Sequence, residues 1–351
     1  MKVVIVGGVA GGASCAARLR RLDEDAEIIM VERGPYVSYA NCGLPYHVGG
    51  VIPEESSLLV ATEDTFRTQF SVDARTHCEA VSIDPAKKTV DLKNVQTGDV
   101  TTESYDKLVL SPGAPPIRPP LPGIDLPGIF SVRTVPDARQ IREWLEQGSS
   151  FLTGMDRYSG IQAVRPKTRA VIVGGGFIGL ETAENLAHRG FDVTVVEMGD
   201  QILGPLDPEM ARLAEGYLER KGIKIVLGDG AKEFKQAEDG SLEAYTQSGA
   251  RYPADIVVLG IGVRPDTELA KSAGLEIGDR GGIRTNDQML TSEPDIFAVG
   301  DAVEIKDFVT GEWALIALAG PANRQGRIVA DVICGRESRF RGTQGTAIIG
   351  L

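Results

Sequence analysis

Two stretches of the chain share one pattern of apolar and polar positions. Each begins with a short apolar run, KVVIV from Lys2 or RAVIV from Arg169, and passes through a glycine-rich turn into a segment of small and apolar residues with helical spacing. A second apolar run follows in each stretch and ends at an acid, Glu32 in the first and Glu197 in the second. Strand, glycine turn, helix, strand and acid in this order predict an α/β chain with two Rossmann-like domains.

The glycine turns indicate where a dinucleotide would bind. Glycine permits the tight turn and lets the backbone approach a pyrophosphate, which then lies at a helix N-terminus where free amide groups favour an anion. The second turn carries all three glycines of the pattern, at Gly174, Gly176 and Gly179. The first turn carries Gly7 and Gly12, with a valine in place of the middle glycine. Either turn alone is compatible with a purely structural role, but two copies that both end in an acid favour two dinucleotide sites.

Proline and glycine divide the rest of the chain. They cluster between Ser111 and Gly128, which predicts an extended crossover out of the first domain. A helical pattern follows, and the segment 149–168 then shows no clear periodicity, so we expect a surface insertion or flap there. Beyond Glu197, a helical run and short alternating runs predict a nucleotide domain closed by a small β-meander.

A predicted strand that ends at Gly300 and Asp301 indicates a discontinuous first domain. An acid at the carboxyl end of a strand faces the ligand crevice of a parallel sheet. We therefore expect residues 1–115 and 285–345 to form the first domain, and residues 116–284 to form a second domain inserted in it.

Composition and charge exclude several kinds of partner. The hydrophobic fraction of 42% and the charged fraction of 25% are ordinary for a globular protein. The net charge of −12 argues against a nucleic acid or an anionic membrane, because an acidic surface gains nothing from counterion release. No apolar run approaches the roughly 20 residues of a membrane span, so we expect no membrane partner.

Cysteine and histidine usage bears on the redox compartment and on metals. The four cysteines, Cys15, Cys42, Cys78 and Cys334, lack paired or metal-like spacing, which fits a protein of the reducing cytoplasm. With only three histidines in the chain, we expect no metal site. Cys42 follows closely on the first glycine turn, and we interpret the other three cysteines as packing residues.

Seven motifs in the chain resemble those of one protein family. They read GGVAGGASCAARLRRL, SYANCGLPYH, LVLSPGAPP, VIVGGGFIGLE, GIGVRPDT, IFAVGDAVE and LAGPANRQGR. In this order they resemble the flavin-dependent pyridine nucleotide-disulfide oxidoreductases. Within that family the chain is similar to the single-cysteine branch of coenzyme A-disulfide reductases and NADH-dependent persulfide reductases. The resemblance implies that the first domain binds FAD and the second binds NAD(H).

The resemblance also implies a set of cofactor contacts. Asp301 is expected to hydrogen-bond the ribityl chain of the flavin, and Glu32 and Glu197 are expected to accept hydrogen bonds from ribose hydroxyls. The expected FAD contacts are Gly7, Gly8, Val9, Ala10, Gly11, Gly12, Glu32, Arg33, Asn41, Val81, Ser111, Gly113, Asp301 and Ala319. The expected NAD(H) contacts are Gly174, Gly176, Gly179 and Glu197.

The cysteine pattern selects the branch of the family. Two-cysteine members carry a second redox cysteine five positions from the first, where this chain has Val37 and His47. Cys42 is therefore expected to form its disulfide with an external thiol, or to become a persulfide, or a sulfenic acid if the oxidant is peroxide or oxygen. Ser38 and Asn41 match the branch motif, and we expect them to orient the thiolate or the bound thiol.

Helical spacing adds a clue to the substrate. Ser14, Arg18 and Arg21 fall at i, i+4 and i+7 on one face of the first predicted helix. Such a face is usually only solvated, but the family places the nucleotide end of coenzyme A against the matching positions, and arginines pair well with phosphates. For the nicotinamide cofactor, Glu197 would bind a ribose 2′-hydroxyl and repel a 2′-phosphate, so we expect NADH over NADPH.

Together these residues predict an oxidoreductase that passes electrons from NADH through flavin to a sulfur–sulfur bond at Cys42. Coenzyme A disulfide, coenzyme A persulfide and polysulfide all present such a bond, so the sequence does not rank them. One alternative is an NADH oxidase or peroxidase that uses a sulfenic acid at Cys42, and another is a non-catalytic flavin- or nucleotide-binding remnant. A dehydrogenase acting on carbon is disfavoured, because no acid-base histidine accompanies the second turn.

One departure from the resembling family concerns the end of the chain. In that family GTQGTAI leads into a C-terminal interface domain that forms the dimer, and here the sequence stops at RGTQGTAIIGL. We therefore expect the dimerisation domain to be absent, in either a fragment or a shortened protein. The homodimer that is usual in the family is in doubt for the same reason.

Overall fold

The computed structural model describes residues 1–154, 168–238 and 240–350. Most of the segment 149–168, for which the sequence predicts a surface insertion, lies outside these residues. The helices are α1 Ala10–Leu22, α2 Leu44–Gly49, α3 Glu63–Phe70, α4 Val135–Gly154, α5 Phe177–His188, α6 Pro208–Arg220, α7 Glu268–Ser272 and α8 Ala319–Ile333. The strands are β1 Lys2–Val6, β2 Glu27–Val31, β3 Asp73–Arg75, β4 Cys78–Asp84, β5 Thr89–Asn94, β6 Val100–Ser104, β7 Lys107–Leu110, β8 Ile129–Ser131, β9 Arg169–Val173, β10 Asp192–Val196, β11 Lys224–Val226, β12 Ala231–Gln236, β13 Leu242–Thr246, β14 Arg251–Ala254, β15 Ile256–Leu259, β16 Ile283–Arg284, β17 Ile296–Ala298, β18 Val303–Lys306 and β19 Trp313–Ala314.

Contacts between residues divide the chain into two compact units. The first unit comprises Met1–Tyr39, Leu59–Pro115 and Arg264–Ala347. The second unit comprises Ala40–Leu58, Pro116–Val263 and Ile348–Leu351. None of the helices in the described ranges is long and apolar enough to cross a membrane.

A five-stranded parallel sheet forms the centre of each unit. The strand order is β17-β7-β1-β2-β3 in the first unit and β11-β10-β9-β15-β8 in the second. Parallel strands are covered on both faces and therefore need nearly continuous apolar residues. The central strands meet this need, because residues 3–6 of β1 and 170–173 of β9 are all buried. The expected α/β fold with two Rossmann-like domains is confirmed.

Smaller sheets complete the two units. In the second unit β12, β13 and β14 form the antiparallel meander that the alternating runs predict. In the first unit β4, β5 and β6 form a second antiparallel sheet, and β16, β18 and β19 form a third. Helices α1 and α8 of the first unit pack closely, since a Cβ atom on Gly326 would lie only 2.1 Å from the carbonyl oxygen of Gly11.

The observed units differ from the expected domain boundaries at two places. Residues 264–284 group with the first unit, because β16 pairs with β18 and Ala270 joins the core of that unit. Residues 40–58 group with the second unit, because Arg139 at the start of α4 forms two hydrogen bonds with Glu55, at 2.7 and 2.6 Å. Both departures arise from contacts between residues far apart in the sequence.

Candidate functional site

The first glycine turn joins β1 to α1. Gly7 has a φ of 94°, and a Cβ atom there would lie 2.0 Å from the carbonyl oxygen of Ser111. A Cβ atom on Gly12 would lie 1.9 Å from the carbonyl oxygen of Gly7. Hydrogen bonds fix the turn to its neighbours, since the Gly7 N–H donates to Val31 at 2.8 Å and the Ser111 N–H donates to Val6 at 2.7 Å. Both glycines are therefore required by the backbone itself.

The N-terminus of α1 has no capping side chain. The helix begins at Ala10, its N-cap residue is Val9, and its first turn contains no acid. The first amide groups of a helix have no partner within the helix. In the absence of a side-chain acceptor they remain available to an anion such as a phosphate.

The carboxylate of Glu32 closes the first turn. One of its oxygens accepts the N–H of Gly8 and the other accepts the N–H of Gly34, both at 3.0 Å. Each carboxylate oxygen has a second lone pair, which can still accept a hydroxyl donor. The neighbouring Arg33 is exposed and donates to Asp266 at 2.9 Å.

The other expected FAD contacts of the first unit lie at strand ends, at a helix start and on an outer strand. Ser111 and Gly113 follow β7, and Asp301 lies in a 3-10 helix directly after β17. Ala319 is the exposed first residue of α8, another helix without a side-chain cap or an acid in its first turn. Val81 is exposed at the bulge of β4, where the pairing with β5 changes register.

The second glycine turn joins β9 to α5 with nearly the same geometry. Gly174 has a φ of 108°, and its Cβ atom would lie 2.4 Å from the carbonyl oxygen of Gly260. A Cβ atom on Gly179 would lie 2.1 Å from the carbonyl oxygen of Gly174. Gly176 is the N-cap residue of α5, whose first turn contains no acid. The amide groups at the start of α5 are therefore also available to an anion.

Glu197 repeats the arrangement of Glu32. Its two carboxylate oxygens accept the N–H groups of Gly175 at 2.6 Å and of Gly199 at 2.7 Å. Each turn thus ends with a carboxylate that two backbone amides hold in place.

Cys42 is exposed and lies in the second unit. It occupies the middle of a 3-10 helix that runs directly into α2. The side-chain amide of Asn41 donates to the carbonyl oxygen of Arg133 at 3.5 Å. On α2 the imidazole of His47 is buried, and its Nδ1 lies 3.1 Å from Nη1 of Arg142 on α4. Contacts on both sides of Cys42 therefore fix this segment to the second unit.

Two of the residues expected to hold coenzyme A bind other side chains of the first unit. The Ser14 hydroxyl donates to Oδ1 of Asn323 at 2.8 Å. Arg18 donates twice to one oxygen of Asp331, at 3.0 and 2.8 Å. A substrate phosphate would therefore share Arg18 with a carboxylate.

Arg21 and Ser38 complete the expected substrate set. Arg21 is exposed, and its guanidinium carbon lies 5.6 Å from the ring centroid of Phe70. Ser38 has a φ of 45°, which few residues other than glycine adopt, and its N–H donates to Gly8 at 2.8 Å. Strained backbone of this kind often accompanies functional sites, and here the strained residue is tied to the first glycine turn.

The cysteines other than Cys42 are poor candidates for a nucleophile. Burial raises the pKa of Cys15 to about 12. Burial also raises the pKa values of Cys78 and Cys334 above the ordinary value. A thiol with a raised pKa stays protonated near neutral pH and reacts slowly. Within the described residues, no group of three or more His, Cys, Asp or Glu side chains is placed to hold a metal ion.

Sequence reasoning missed two residues that shape the turns. Gly260 presents the carbonyl oxygen that faces Gly174, and the side-chain oxygen of Gln325 accepts the N–H of Gly300 at 2.7 Å. A signal for Gly260 exists in the sequence, since it directly follows the apolar strand β15 just as Ser111 follows β7. Gln325 lies in the motif LAGPANRQGR, but residue order does not show that its side chain reaches from α8 to Gly300.

The chain is similar to one described family and to several known proteins. The model of the family described as pyridine nucleotide-disulphide oxidoreductase matches residues 1–326. An NADH oxidase of Methanocaldococcus jannaschii is 35% identical over 349 residues, which cover 99% of this chain and 73% of that protein. A coenzyme A disulfide reductase of Staphylococcus haemolyticus is 32% identical over 349 residues, which cover 99% of this chain and 74% of that protein.

A solved structure shares the whole fold. The NAD-dependent persulfide reductase from A. fulgidus superimposes with a TM-score of 0.92 and is 37% identical. The match covers 100% of this chain and 62% of that chain, so the present chain spans less than two thirds of that protein.

Proposed function

This chain belongs to the pyridine nucleotide-disulphide oxidoreductase family, and we propose on that basis that it passes two electrons from NADH, by way of bound FAD, to a sulfur–sulfur bond at Cys42. The observation that carries the proposal is the pair of uncapped glycine turns, each closed by a carboxylate, in a chain with one exposed cysteine among its four. Two dinucleotides and one reactive thiol are the groups that such a relay needs.

The residues at the two turns fit the two dinucleotides. At each turn the first amide groups of the helix lack a side-chain acceptor, so a pyrophosphate would satisfy them. Glu32 would bind the ribose of FAD, and Glu197 would bind the ribose of NADH. Because a 2′-phosphate would face the carboxylate of Glu197, we propose NADH rather than NADPH as the donor. Asp301 and Ala319 would lie against the flavin itself.

Cys42 supplies the nucleophile. When bound, the flavin supplies a two-electron relay between nicotinamide and sulfur. The thiolate of Cys42 attacks one sulfur of an R–S–S–R′ substrate, and the R′ thiolate leaves with the electron pair of the broken bond. The two electrons from NADH then cleave the mixed disulfide into the Cys42 thiolate and the R thiolate, and the released thiolates take protons from NADH oxidation and from water. Ser38 and Asn41 would orient the sulfur during the attack.

Coenzyme A disulfide or its persulfide is the substrate class that we propose. Ser14, Arg18 and Arg21 lie on α1 of the first unit, and Arg21 is exposed. Guanidinium groups bind phosphates through paired hydrogen bonds, so Arg18 and Arg21 would receive the phosphates of coenzyme A, with Ser14 beside them on the same helix. The coenzyme A disulfide reductase from Staphylococcus haemolyticus supports this choice by similarity.

Two measurements test the proposal. One is an anaerobic NADH titration of the chain, monitored by visible absorption, and the other is an assay of NADH-dependent disulfide or persulfide reduction. We expect flavin to be reduced by NADH in the parent chain and in Cys42→Ser, and disulfide or persulfide reduction to be lost only in Cys42→Ser. Cys78→Ser is the matched control, because it removes a thiol whose pKa burial raises. Disulfide reduction that survives in Cys42→Ser would overturn the role of Cys42.

An NADH oxidase or peroxidase is the second candidate, favoured by the similarity to the NADH oxidase of Methanocaldococcus jannaschii. Here the same thiolate would reduce peroxide, become a sulfenic acid and then be reduced by two electrons from NADH. Oxygen or peroxide consumption with NADH alone, without any added disulfide, would identify this activity. A chain that oxidises NADH only when a disulfide or persulfide is present would reject it.

A further inference from the structure

The loop that connects β10 to α6 in the second unit contacts the second glycine turn. Its residue Leu203 has a φ of 49°, which residues other than glycine rarely adopt. The N–H of Leu203 donates to the carbonyl oxygen of Gly175 at 2.9 Å. A Cβ atom on Gly175 would lie 2.8 Å from a γ-carbon of Ile202, so the loop lies directly against this glycine. Gly175 is also the residue whose N–H donates to Glu197, at 2.6 Å.

The first unit repeats this contact at the same spacing. Ser38 follows Glu32 at the same distance in the sequence as Leu203 follows Glu197. Ser38 has a φ of 45°, and its N–H donates to the carbonyl oxygen of Gly8 at 2.8 Å. Strained backbone of this kind persists only where the surroundings hold it in place. Because two loops of different sequence share the contact, we interpret it as part of how each acid is fixed at its turn.

A side chain of α6 holds the loop of the second unit in place. One carboxylate oxygen of Glu215 accepts the N–H of Ile202 at 3.2 Å. Ile202 is fully buried, so water does not replace an acceptor that is lost there, and a buried N–H without a partner is costly. Consecutive hydrogen bonds therefore lead from α6 to the acid, from Glu215 to Ile202, from Leu203 to Gly175 and from Gly175 to Glu197.

We propose that Glu215 is a positioning residue for the NADH site. By holding Ile202, it keeps the adjacent Leu203 bonded to Gly175. The peptide group of Gly175 then presents its N–H to Glu197. Without the carboxylate the loop relaxes away from the turn, and Glu197 loses its fixed orientation toward the ribose 2′-hydroxyl. The inference rests on the proposed binding of NADH at the second turn and adds the residue that orients the acceptor of its ribose.

Binding of NAD⁺ and NADP⁺ to the full chain, measured by isothermal titration calorimetry, tests the inference. The measurement requires neither hydride transfer nor a sulfur substrate, so failure of disulfide reduction and failure of this inference are separate results. We expect Glu215→Ala to raise the Kd for NAD⁺ about 5-fold to 10-fold, less than a change at Glu197 itself. The Kd for NADP⁺ should rise less, because NADP⁺ has no 2′-hydroxyl for Glu197 to bind.

Two further variants separate the hydrogen bond from the charge of Glu215. In Glu215→Gln the side-chain oxygen can still accept the N–H of Ile202, so the Kd for NAD⁺ should stay within about threefold of the parent value. If the negative charge of Glu215 were the cause instead, Glu215→Ala and Glu215→Gln would both bind the anionic nucleotide more tightly. Glu219→Ala is the matched control, one helical turn further along α6 at an exposed position, and should leave both Kd values unchanged.

A double variant tests whether Glu215 acts through Glu197. In Glu197→Gln, Glu215→Ala the second change should add little to the first, because the two residues belong to one hydrogen-bonded series. An unchanged Kd for NAD⁺ in Glu215→Ala, equal effects of Glu215→Ala and Glu215→Gln, or equal weakening of NAD⁺ and NADP⁺ would each overturn the inference. A parent chain that does not bind NAD⁺ would overturn the proposed nucleotide site and this inference with it.

Discussion

At the first glycine turn Val9 precedes α1, and at the second turn Gly176 precedes α5. Val9 has a φ of −94° and a ψ of −108°, whereas Gly176 has a φ of −83° and a ψ of −178°, which is extended backbone that any residue adopts. The atom nearest to a Cβ on Gly176 would be 4.0 Å away. Neither the backbone nor a neighbouring atom therefore requires glycine at position 176.

The outer glycines of both turns differ from Gly176 in this respect. At each of them a Cβ atom would lie within 2.4 Å of a carbonyl oxygen. These positions are Gly7, Gly12, Gly174 and Gly179. Glycine is therefore needed at these positions for two different reasons. At the outer positions the backbone geometry requires it, and at the middle position it leaves room for a ligand to approach the backbone.

The largest expected effect comes from alanine at the first glycine of each turn. In Gly7→Ala and Gly174→Ala the new methyl group would overlap a carbonyl oxygen, at a backbone angle that alanine avoids, which costs about 2–6 kcal/mol of stability. We expect Gly7→Ala to lose flavin. We expect Gly174→Ala to keep flavin that NADH no longer reduces. Flavin absorbance per chain and NADH titration would measure both effects.

The selectivity of these two variants is what tests the comparison. If Gly174→Ala lost its flavin while Gly7→Ala kept it, the assignment of the two turns to FAD and NADH would be reversed. Equal loss of both ligands in both variants, together with a lowered melting temperature, would mean that the two units unfold as one.

A smaller effect is expected from the acids that close the turns. In Glu197→Gln an amide group would face the N–H of Gly175 or of Gly199 and leave a donor without a partner, which costs about 1–3 kcal/mol. The variant would also replace the charged acceptor of the NADH ribose hydroxyls by a neutral one, and a hydrogen bond to a charged group contributes about 1.5–3 kcal/mol. Since 1.4 kcal/mol is a factor of ten in binding, the KM for NADH should rise about 10-fold to 100-fold with flavin content unchanged. Steady-state kinetics with NADH and with NADPH would measure this rise in KM. The same kinetics should show a smaller ratio between the kcat/KM values for NADH and NADPH.

Glu32→Gln is the matched variant at the first turn. It should weaken flavin binding and leave the KM for NADH in the flavin-loaded fraction unchanged. Its effect should be the smaller of the two, because the hydrogen bonds of Glu32 are longer than those of Glu197, at 3.0 Å against 2.6 and 2.7 Å. A change in NADH binding in this variant would contradict the assignment of FAD to the first turn and NADH to the second.

The turns could be predicted from the sequence because the contacts that require glycine and an acid there are made between residues close together in the chain. Gly7 and Gly12 meet within one strand-turn-helix unit, and the acid follows at the end of the next strand, so residue order alone reveals the arrangement. The placement of residues 40–58 in the second unit could not be predicted this way. It depends on contacts such as that of Arg139 with Glu55, which join segments 84 positions apart in the chain and leave no periodic pattern.

The boundary between the two units near residue 264 could not be predicted from the sequence for a related reason. Strand β16 contains only two residues, and its pairing with β18 decides which unit it joins. So short a strand carries no recognisable alternation. The partners of the expected substrate residues could not be predicted either. Arg18 on α1 donates to Asp331 on α8, and these two helices are distant in sequence.

The smallest effect on stability, and the sharpest test of the comparison, is expected from Gly176→Val, which makes the second turn resemble the first. Because the backbone at 176 is extended and a Cβ atom there would lie no nearer than 4.0 Å to another atom, we expect the free energy of unfolding to change by less than about 1 kcal/mol. The valine side chain would nevertheless occupy the space through which a pyrophosphate approaches the amides of α5. NADH binding, measured by titration, should weaken about 10-fold or more, which corresponds to at least 1.4 kcal/mol.

Two further variants show whether that loss belongs to the ligand. Gly204→Val makes the same change at a position of the second unit where a Cβ would meet nothing within 4 Å, and it should leave NADH binding intact. Val9→Gly makes the reverse change at the first turn, and flavin binding should hardly respond, because the backbone there already accommodates valine. If Gly176→Val bound NADH as tightly as the parent chain does, the open space beside Gly176 would not be needed by the ligand. The two turns would then bind their dinucleotides equally well with either residue at the middle position.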